Sequence, residues 1–169
     1  NHYGSYDFKL TYTQADWKVS AYHQHYFEDK SGMIFVNNTD GLWGLQFDLP
    51  KINWFKKTVI EHLETRDQSG PFHFIEFDHS QHKGPGGGSD DYYNNGEYQT
   101  GASYFNRALG SPLLNNKRGT AGLLEIQYHH PKLKGWNFGS SIAADAGSLY
   151  TKNIGFSFTV SKRGILKSW

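Results

Sequence analysis

The sequence predicts an all-β fold, an antiparallel sheet whose seven strands run up and down in order. Two observations lead there. Seven stretches alternate apolar and polar residues with period two, the mark of a half-buried strand. The composition, 17% aromatic with 19 glycines in 169 residues, suits aromatic-rich strands joined by turns rather than a helical bundle. A third observation, the order of the connections, bears on what kind of sheet this is.

The elements follow in chain order. Tyr6, Phe8, Leu10 and Tyr12 oppose Asp7, Lys9 and Thr11; Trp17, Val19 and Ala21 then alternate with Asp16, Lys18 and Ser20. Trp43, Leu45, Phe47 and Leu49 alternate with Gly44, Gln46 and Asp48. The stretch from Trp54 to Thr65 is β-prone through Thr58, Val59 and Ile60, but its two faces are mixed. Further on, Leu124, Ile126 and Tyr128 oppose Glu125, Gln127 and His129, and Trp136, Phe138, Ser140 and Ile142 oppose Asn137, Gly139 and Ser141. The last stretch is the cleanest: Ile154, Phe156, Phe158 and Val160 against Gly155, Ser157, Thr159 and Ser161. No helix is expected, since the small run Ala143–Ala146 ends at Gly147.

The connections Thr13–Ala15, Pro50–Asn53 and Pro131–Gly135 are short, whereas Glu28–Gly41, Arg66–Arg118 and Asp145–Lys152 are longer. Short and long alternate, which places the short turns at one end of an up-and-down sheet and the long loops at the other. Outer-membrane barrels have that asymmetry, with short periplasmic turns and long extracellular loops. Alternation alone does not separate a barrel, whose apolar face meets lipid, from a soluble sandwich, whose apolar face packs on a second sheet. Trp17, Trp43, Trp54 and Trp136 are expected near the short-turn ends of their strands, as an interfacial aromatic girdle would be. The reading is therefore one unit over residues 1–169, part of a transmembrane β-barrel, with 66–118 as a long inserted loop, extracellular or plugging the lumen. First and last strands run the same way. A barrel with an even strand number and both termini periplasmic then places at least one further strand upstream of Asn1. The absence of an initiator Met and of a signal-peptide pattern fits a piece of a longer protein or a processed product.

Composition excludes several classes. A formal net charge of +1 leaves no electrostatic footprint for nucleic acid. Cysteine is absent, which removes disulfides, thiolate metal sites and a cysteine nucleophile. No run of 18 apolar residues is present for a membrane-spanning helix. No cofactor is expected. Asp78, His79 and His82, with His73 nearby, supply nitrogen and oxygen ligands, but their spacing matches no zinc signature and no metal site is assigned. His23 with His25, and His62 with Glu64, share strand faces and read as lumen or rim features. Gly84–Gly88 lacks the Gly-Lys-Ser/Thr end of a phosphate loop and reads as a mobile tip. Glu61, Glu64, Glu76 and Asp78 are candidate acid–base carboxylates for a glycosidase, but no pattern organises them, and the chain is not read as an enzyme.

The stretch Asp90–Leu114 carries the functional signal. Connections this long are usually functional or disordered, and disordered segments are poor in aromatics, whereas this one interleaves tyrosines with amides. Sugar recognition asks for aromatic faces to stack on C–H surfaces and for amides, carboxylates and Arg to bond hydroxyls. Asp91, Tyr92, Tyr93, Asn94, Asn95, Tyr98, Tyr104 and Arg107 supply that inventory. Arg107 also suits a uronate carboxylate in fork geometry. The competing expectation is a plug whose tyrosines and asparagines satisfy one another.

Three strings, ETRDQSGPFH (Glu64–His73), DDYYNNGEYQTGASYFNRALGSPL (Asp90–Leu113) and NIGFSFTVSKRG (Asn153–Gly164), resemble the capsule-assembly Wzi-like outer-membrane proteins of Bacteroidetes-type bacteria. The resemblance spans most of the chain, as the C-terminal part of such a protein. It implies a large monomeric β-barrel in the bacterial outer membrane, embedded in the lipid bilayer and engaging surface or capsular polysaccharide. It carries over no catalytic residue. Two other readings stay open: a porin-like diffusion channel with 66–118 as constriction loop, and a soluble β-sandwich lectin or glycosidase.

Overall fold

The computed structural model describes residues 4–49, 51, 54–72, 86–90, 92, 103–104, 107–108, 119–147 and 152–162. They form β1 (Gly4–Thr13), β2 (Lys18–Phe27), a one-turn helix α1 (Lys30–Met33), β3 (Gly41–Asp48), β4 (Phe55–Glu64), β5 (Ser103–Tyr104), β6 (Arg107–Ala108), β7 (Gly119–Tyr128), β8 (Trp136–Gly147) and β9 (Lys152–Lys162). Seven of the strands make one antiparallel sheet in the order β1-β2-β3-β4-β7-β8-β9, and β5 pairs with β6 apart from it. The sheet is an up-and-down meander and is not closed: among the described residues β1 pairs only with β2, and β9 only with β8.

Register sorts the side chains. Leu10, Ala21, Leu45, Ile60, Leu124, Ile142 and Phe156 stand opposite one another in turn, one apolar row crossing all seven strands. The row beside it on the other face reads Thr11, Ser20, Gln46, Val59, Glu125, Ser141 and Ser157. There Thr11 and Ser20 hydroxyls bond at 3.0 Å, and those of Ser141 and Ser157 at 2.8 Å. Among the described residues the apolar face has no second layer: Leu10 is 77% exposed, Phe156 78% and Phe158 62%. Among the described residues the buried apolar side chains are only Phe27, Val59, Tyr92 and Ala121, and the buried polar ones are more numerous. This is the reverse of a soluble core.

Part of the mixing in Trp54–Thr65, at its start, has a cause. A bulge between Phe55 and Lys57 leaves Lys56 out of the ladder and sets Phe55 opposite Tyr128. Phe55 thereby joins the apolar row of Tyr128, Phe138 and Val160, while Lys56 donates to Asn137 Oδ1 at 2.9 Å. One extra residue is how a strand re-aims its side chains.

Three expectations are corrected. Trp43 lies at the long-loop end, because β3 begins at Gly41 directly after the first long loop. Its ring stacks on His23 at 3.7 Å, and its Nε1 donates to Thr39 O at 3.0 Å. Trp17, Trp54 and Trp136 remain at the short-turn end, so aromatics flank the apolar face at both ends. Second, the connection read as Asp145–Lys152 shrinks to 148–151, because Asp145, Ala146 and Gly147 continue β8 opposite Ala121, Thr120 and Gly119. The loop asymmetry therefore rests on 28–40 and 65–118. Third, the helical turn α1 sits inside the first of these, with Asp29 as its N-cap accepting from Ser31 N at 2.7 Å.

On the polar face Tyr22 lies flat across Gly44, and its hydroxyl donates to Glu61 on the strand beyond. A Cβ at residue 44 would stand 2.0 Å from Tyr22 Cζ, whereas one at Gly122 meets only Glu61 O at 3.9 Å. Gly44→Ala is expected to displace the ring and cost about 1–3 kcal/mol as overpacking does, while Gly122→Ala stays near wild type. Urea midpoints of the two variants check this.

Candidate functional site at the long-loop end

The two long loops are tied together by carboxylates. Asp40, fully buried at the end of the first loop, accepts from Gln68 N at 2.7 Å and Asp67 N at 3.1 Å. The hydroxyl of Tyr92 donates to its Oδ2 at 2.9 Å. Asn37 Nδ2 lies 2.6 Å from the same hydroxyl and 2.8 Å from Tyr26 O. A carboxylate with several lone pairs suits this task, because it satisfies two loop amides that no strand partner reaches. Burial pushes the Asp40 carboxyl above its usual range, against the pull of its backbone donors.

Asp90 makes the second tie. Ser69 Oγ donates to it at 2.6 Å and Ser31 Oγ lies 3.4 Å away, while Asp90 N donates to Gln68 O at 2.7 Å. Ser31 Oγ also donates to Asp29 Oδ1 at 2.6 Å, so Asp29 and Asp90 meet across one serine. Burial first, then the negative charge of Asp29 and Glu28, raises the Asp90 carboxyl to about 6, against the pull of Ser69.

At the base of the second loop, Thr65 N donates to Gly119 O at 2.9 Å and Gly119 N to Thr65 Oγ1 at 3.1 Å. The excursion leaves and rejoins the sheet at one point. Arg66 holds Glu64 in a fork, with Nε and Nη2 donating at 2.6 and 2.7 Å. Gly86–Gly88 belong to this packing. Gly88 is buried, and a Cβ at Gly87 would fall 2.1 Å from Asp29 Oδ2. With φ of 57°, 90° and 107° they adopt a backbone that glycine alone takes readily. The mobile tip is thereby corrected for these three, while Gly84 and Pro85 lie outside the described residues.

The sugar-binding inventory divides. Tyr92 is 3% exposed and its hydroxyl is engaged by Asp40 and Asn37, so it offers no ring face to a sugar. Its partners come from the first long loop, not from the asparagines of its own stretch, which lie outside the described residues. Burial and the adjacent Asp40 charge raise its hydroxyl far above the ordinary tyrosine range. Tyr104 and Arg107 face each other in register across β5 and β6, with two residues between. Asp91, Tyr93, Asn94, Asn95 and Tyr98 lie outside the described residues, as do His73, Asp78, His79 and His82. No cluster of three metal-ligating side chains occurs among the described residues. His23, His25 and His62 sit on the apolar face at its loop-end rim rather than in a lumen. His25 is buried beneath Phe35 at 4.4 Å, and its Nε2 lies 2.9 Å from Gly32 O.

Sequence reasoning missed Asp40, Asn37 and Ser69. The signal was thin: an Asn-Asn-Thr-Asp-Gly turn and an Asp-Gln-Ser-Gly turn, each ordinary alone. No protein-family model, no curated protein and no solved structure matches the chain. The molecule is defined by its fold as an all-β antiparallel meander with one exposed apolar face. The likeness to the capsule-assembly family rests on the three strings quoted above.

Two outcomes follow. Tyr92→Phe removes the hydroxyl shared by Asp40 and Asn37 and is expected to cost about 1–3 kcal/mol of loop docking, read as faster proteolysis within 65–92. Asp90 binds its proton more tightly in the folded loop than in a free chain, with about 6 against 3.8. Its favourable contribution is therefore full below the free-chain value and is lost as pH rises through the folded one. Amide exchange of 65–70 and 86–90, corrected for intrinsic rate, is expected to show more protection at the acid end, and Asp90→Asn to reduce the difference, most of all over 86–90, while Asp40, raised in the same direction, keeps part of it at 67–68.

Proposed function

We propose that this chain is part of an outer-membrane β-barrel, Wzi-like in kind, whose long loops bind surface polysaccharide during capsule assembly or attachment. The observation that carries the membrane half is the apolar row from Leu10 to Phe156, exposed across the sheet and backed by a polar row. A lipid-facing surface and a wet interior account for both faces at once. Aromatics at the two ends of the apolar face fit the two interfacial girdles of such a barrel. Strand lengths of 8 to 12 residues fit the span that a tilted strand needs. The open edges at β1 and β9 are completed in this reading by further strands, since a closed barrel leaves no edge in lipid.

The glycan half rests on the resemblance and on the chemistry of the 90–114 stretch. Tyr104 and Arg107, opposed on one short hairpin, bring a stacking ring and a carboxylate-pairing fork to the same place in the chain. The loop is not read as catalytic. The carboxylates described there are engaged by loop donors, and the role assigned to it is binding.

Leu45→Arg, near the middle of the apolar row, is expected to cost about 2–4 kcal/mol in vesicle refolding, with Gln46→Arg on the opposite face much milder. Equal effects would remove the lipid-facing assignment. Arg107→Ala is expected to weaken retention on a uronate-bearing polysaccharide column by about tenfold, the scale of one charge-assisted bond, and to spare a neutral one. Conductance in a planar bilayer distinguishes the channel reading, because a plugged binding barrel passes little current.

A further inference from the structure

The turn between β7 and β8 reads Pro131-Lys132-Leu133-Lys134-Gly135, and Leu133 stands 46% exposed between two exposed lysines. Its shape is held from within. Leu133 N donates to His130 O at 2.9 Å and Trp136 N to Leu133 O at 3.1 Å, so the leucine is presented at a built tip. Gly135, at φ 83°, allows the chain to turn back into β8. Around the tip, Trp54 meets the His130 ring edge-on at 4.9 Å, and Lys162 Nζ lies 5.4 Å from the Trp136 ring centroid.

The lysines at this end fall into two groups. Lys51 pairs with Asp16, Lys18 with Asp48 at 3.1 Å, and Lys56 donates to Asn137. Lys132, Lys134 and Lys162 have no carboxylate partner among the described residues. Lys57 stands opposite Asp48 in the ladder and acts with Lys18 on that carboxylate, which leaves the lysines beside the exposed leucine and Trp136 as the ones without a carboxylate among the described residues. Trp136 and Lys162 also stand opposite each other on the apolar face, in register with Phe138 and Val160 two residues along each strand. An apolar tip flanked by ammonium groups, level with tryptophans, matches the boundary between acyl chains and headgroups. At the opposite end of the strands, Glu28, Asp29, Asp40, Asp67 and Asp90 crowd the loops beside Lys30 and Arg66, and Arg66 is paired with Glu64.

We propose that the β7–β8 turn and the end of β9 form a docking surface for anionic phospholipid in the leaflet at the short-turn end. Leu133 enters the acyl boundary, and Lys132, Lys134 and Lys162 meet phosphodiester oxygens. This rests on the reading of the apolar face as lipid-facing, and the experiment separates the two. The purified full chain is delivered from detergent onto phosphatidylcholine vesicles, and onto vesicles in which about one third is phosphatidylglycerol, and co-flotation is measured at low and high salt. The wild type is expected to partition about a hundredfold more strongly onto the anionic vesicles at low salt, the scale of three surface lysines. That preference collapses at high salt, where exposed charges are screened. K132Q/K134Q/K162Q loses the preference while keeping its flotation on phosphatidylcholine, and Leu133→Gln weakens both. Equal partition of the wild type onto the two vesicles, or a triple variant that keeps the preference, overturns the proposal and leaves the lipid-facing reading standing. No flotation on either composition overturns that reading and this surface with it.

Discussion

Everything in this molecule depends on the unslipped antiparallel register of seven strands. Because side chains alternate with period two, a one-residue shift in any strand would carry its apolar set onto the polar face. The rows through Leu10 and Thr11 run from one edge of the sheet to the other without such an exchange. The one irregularity, at Phe55/Lys57, falls beside a turn and corrects the pattern locally. It keeps a phenylalanine in the apolar row and a lysine off it.

That constraint explains how a chain with so few buried apolar side chains holds a defined sheet. Cross-strand pairs on the apolar face contact one another laterally, as stacked Tyr128 and Phe138 do at 5.6 Å. On the polar face, hydroxyl and amide side chains bond across strands, and Tyr22 reaches over Gly44 to Glu61. Neither face builds a core by itself.

At the loop end a different economy operates. Loops carry backbone donors with no ladder partner, and burying them unsatisfied is costly. Asp40 accepts two such amides, Asp90 accepts from serine hydroxyls, and together with Tyr92 they join 29–40, 65–70 and 86–90 into one body. Clustering carboxylates in a buried place disfavours their charged forms, which makes the packing of the loops sensitive to protonation. One of the tyrosines read as a sugar platform, Tyr92, is consumed in this packing. Tyr104 and Arg107 pair with each other on a separate two-stranded ladder.

How much of this was legible in the sequence follows from the range of each interaction. The strands and their two faces were readable because period-two alternation is local: Ile154 to Val160 announces its own orientation. Trp43 was assigned to the wrong end although the first long loop, read as Glu28–Gly41, already left it two residues past that loop. Asp145 to Gly147 read as loop because small residues show no alternation, and pairing with β7, and of Asp145 and Ala146 with β9 as well, made them β8. Asp40, Asn37 and Ser69 could not be picked out, because each acts on partners remote in sequence, such as Gln68 and Tyr92 for Asp40. The sequence by itself determined an all-β meander with one apolar and one polar face, because each strand's pattern is written within a few residues. Only the tertiary structure decided which levels the aromatics occupy and which loop residues are spent on holding the loops together, because those follow from contacts between segments that no local pattern encodes.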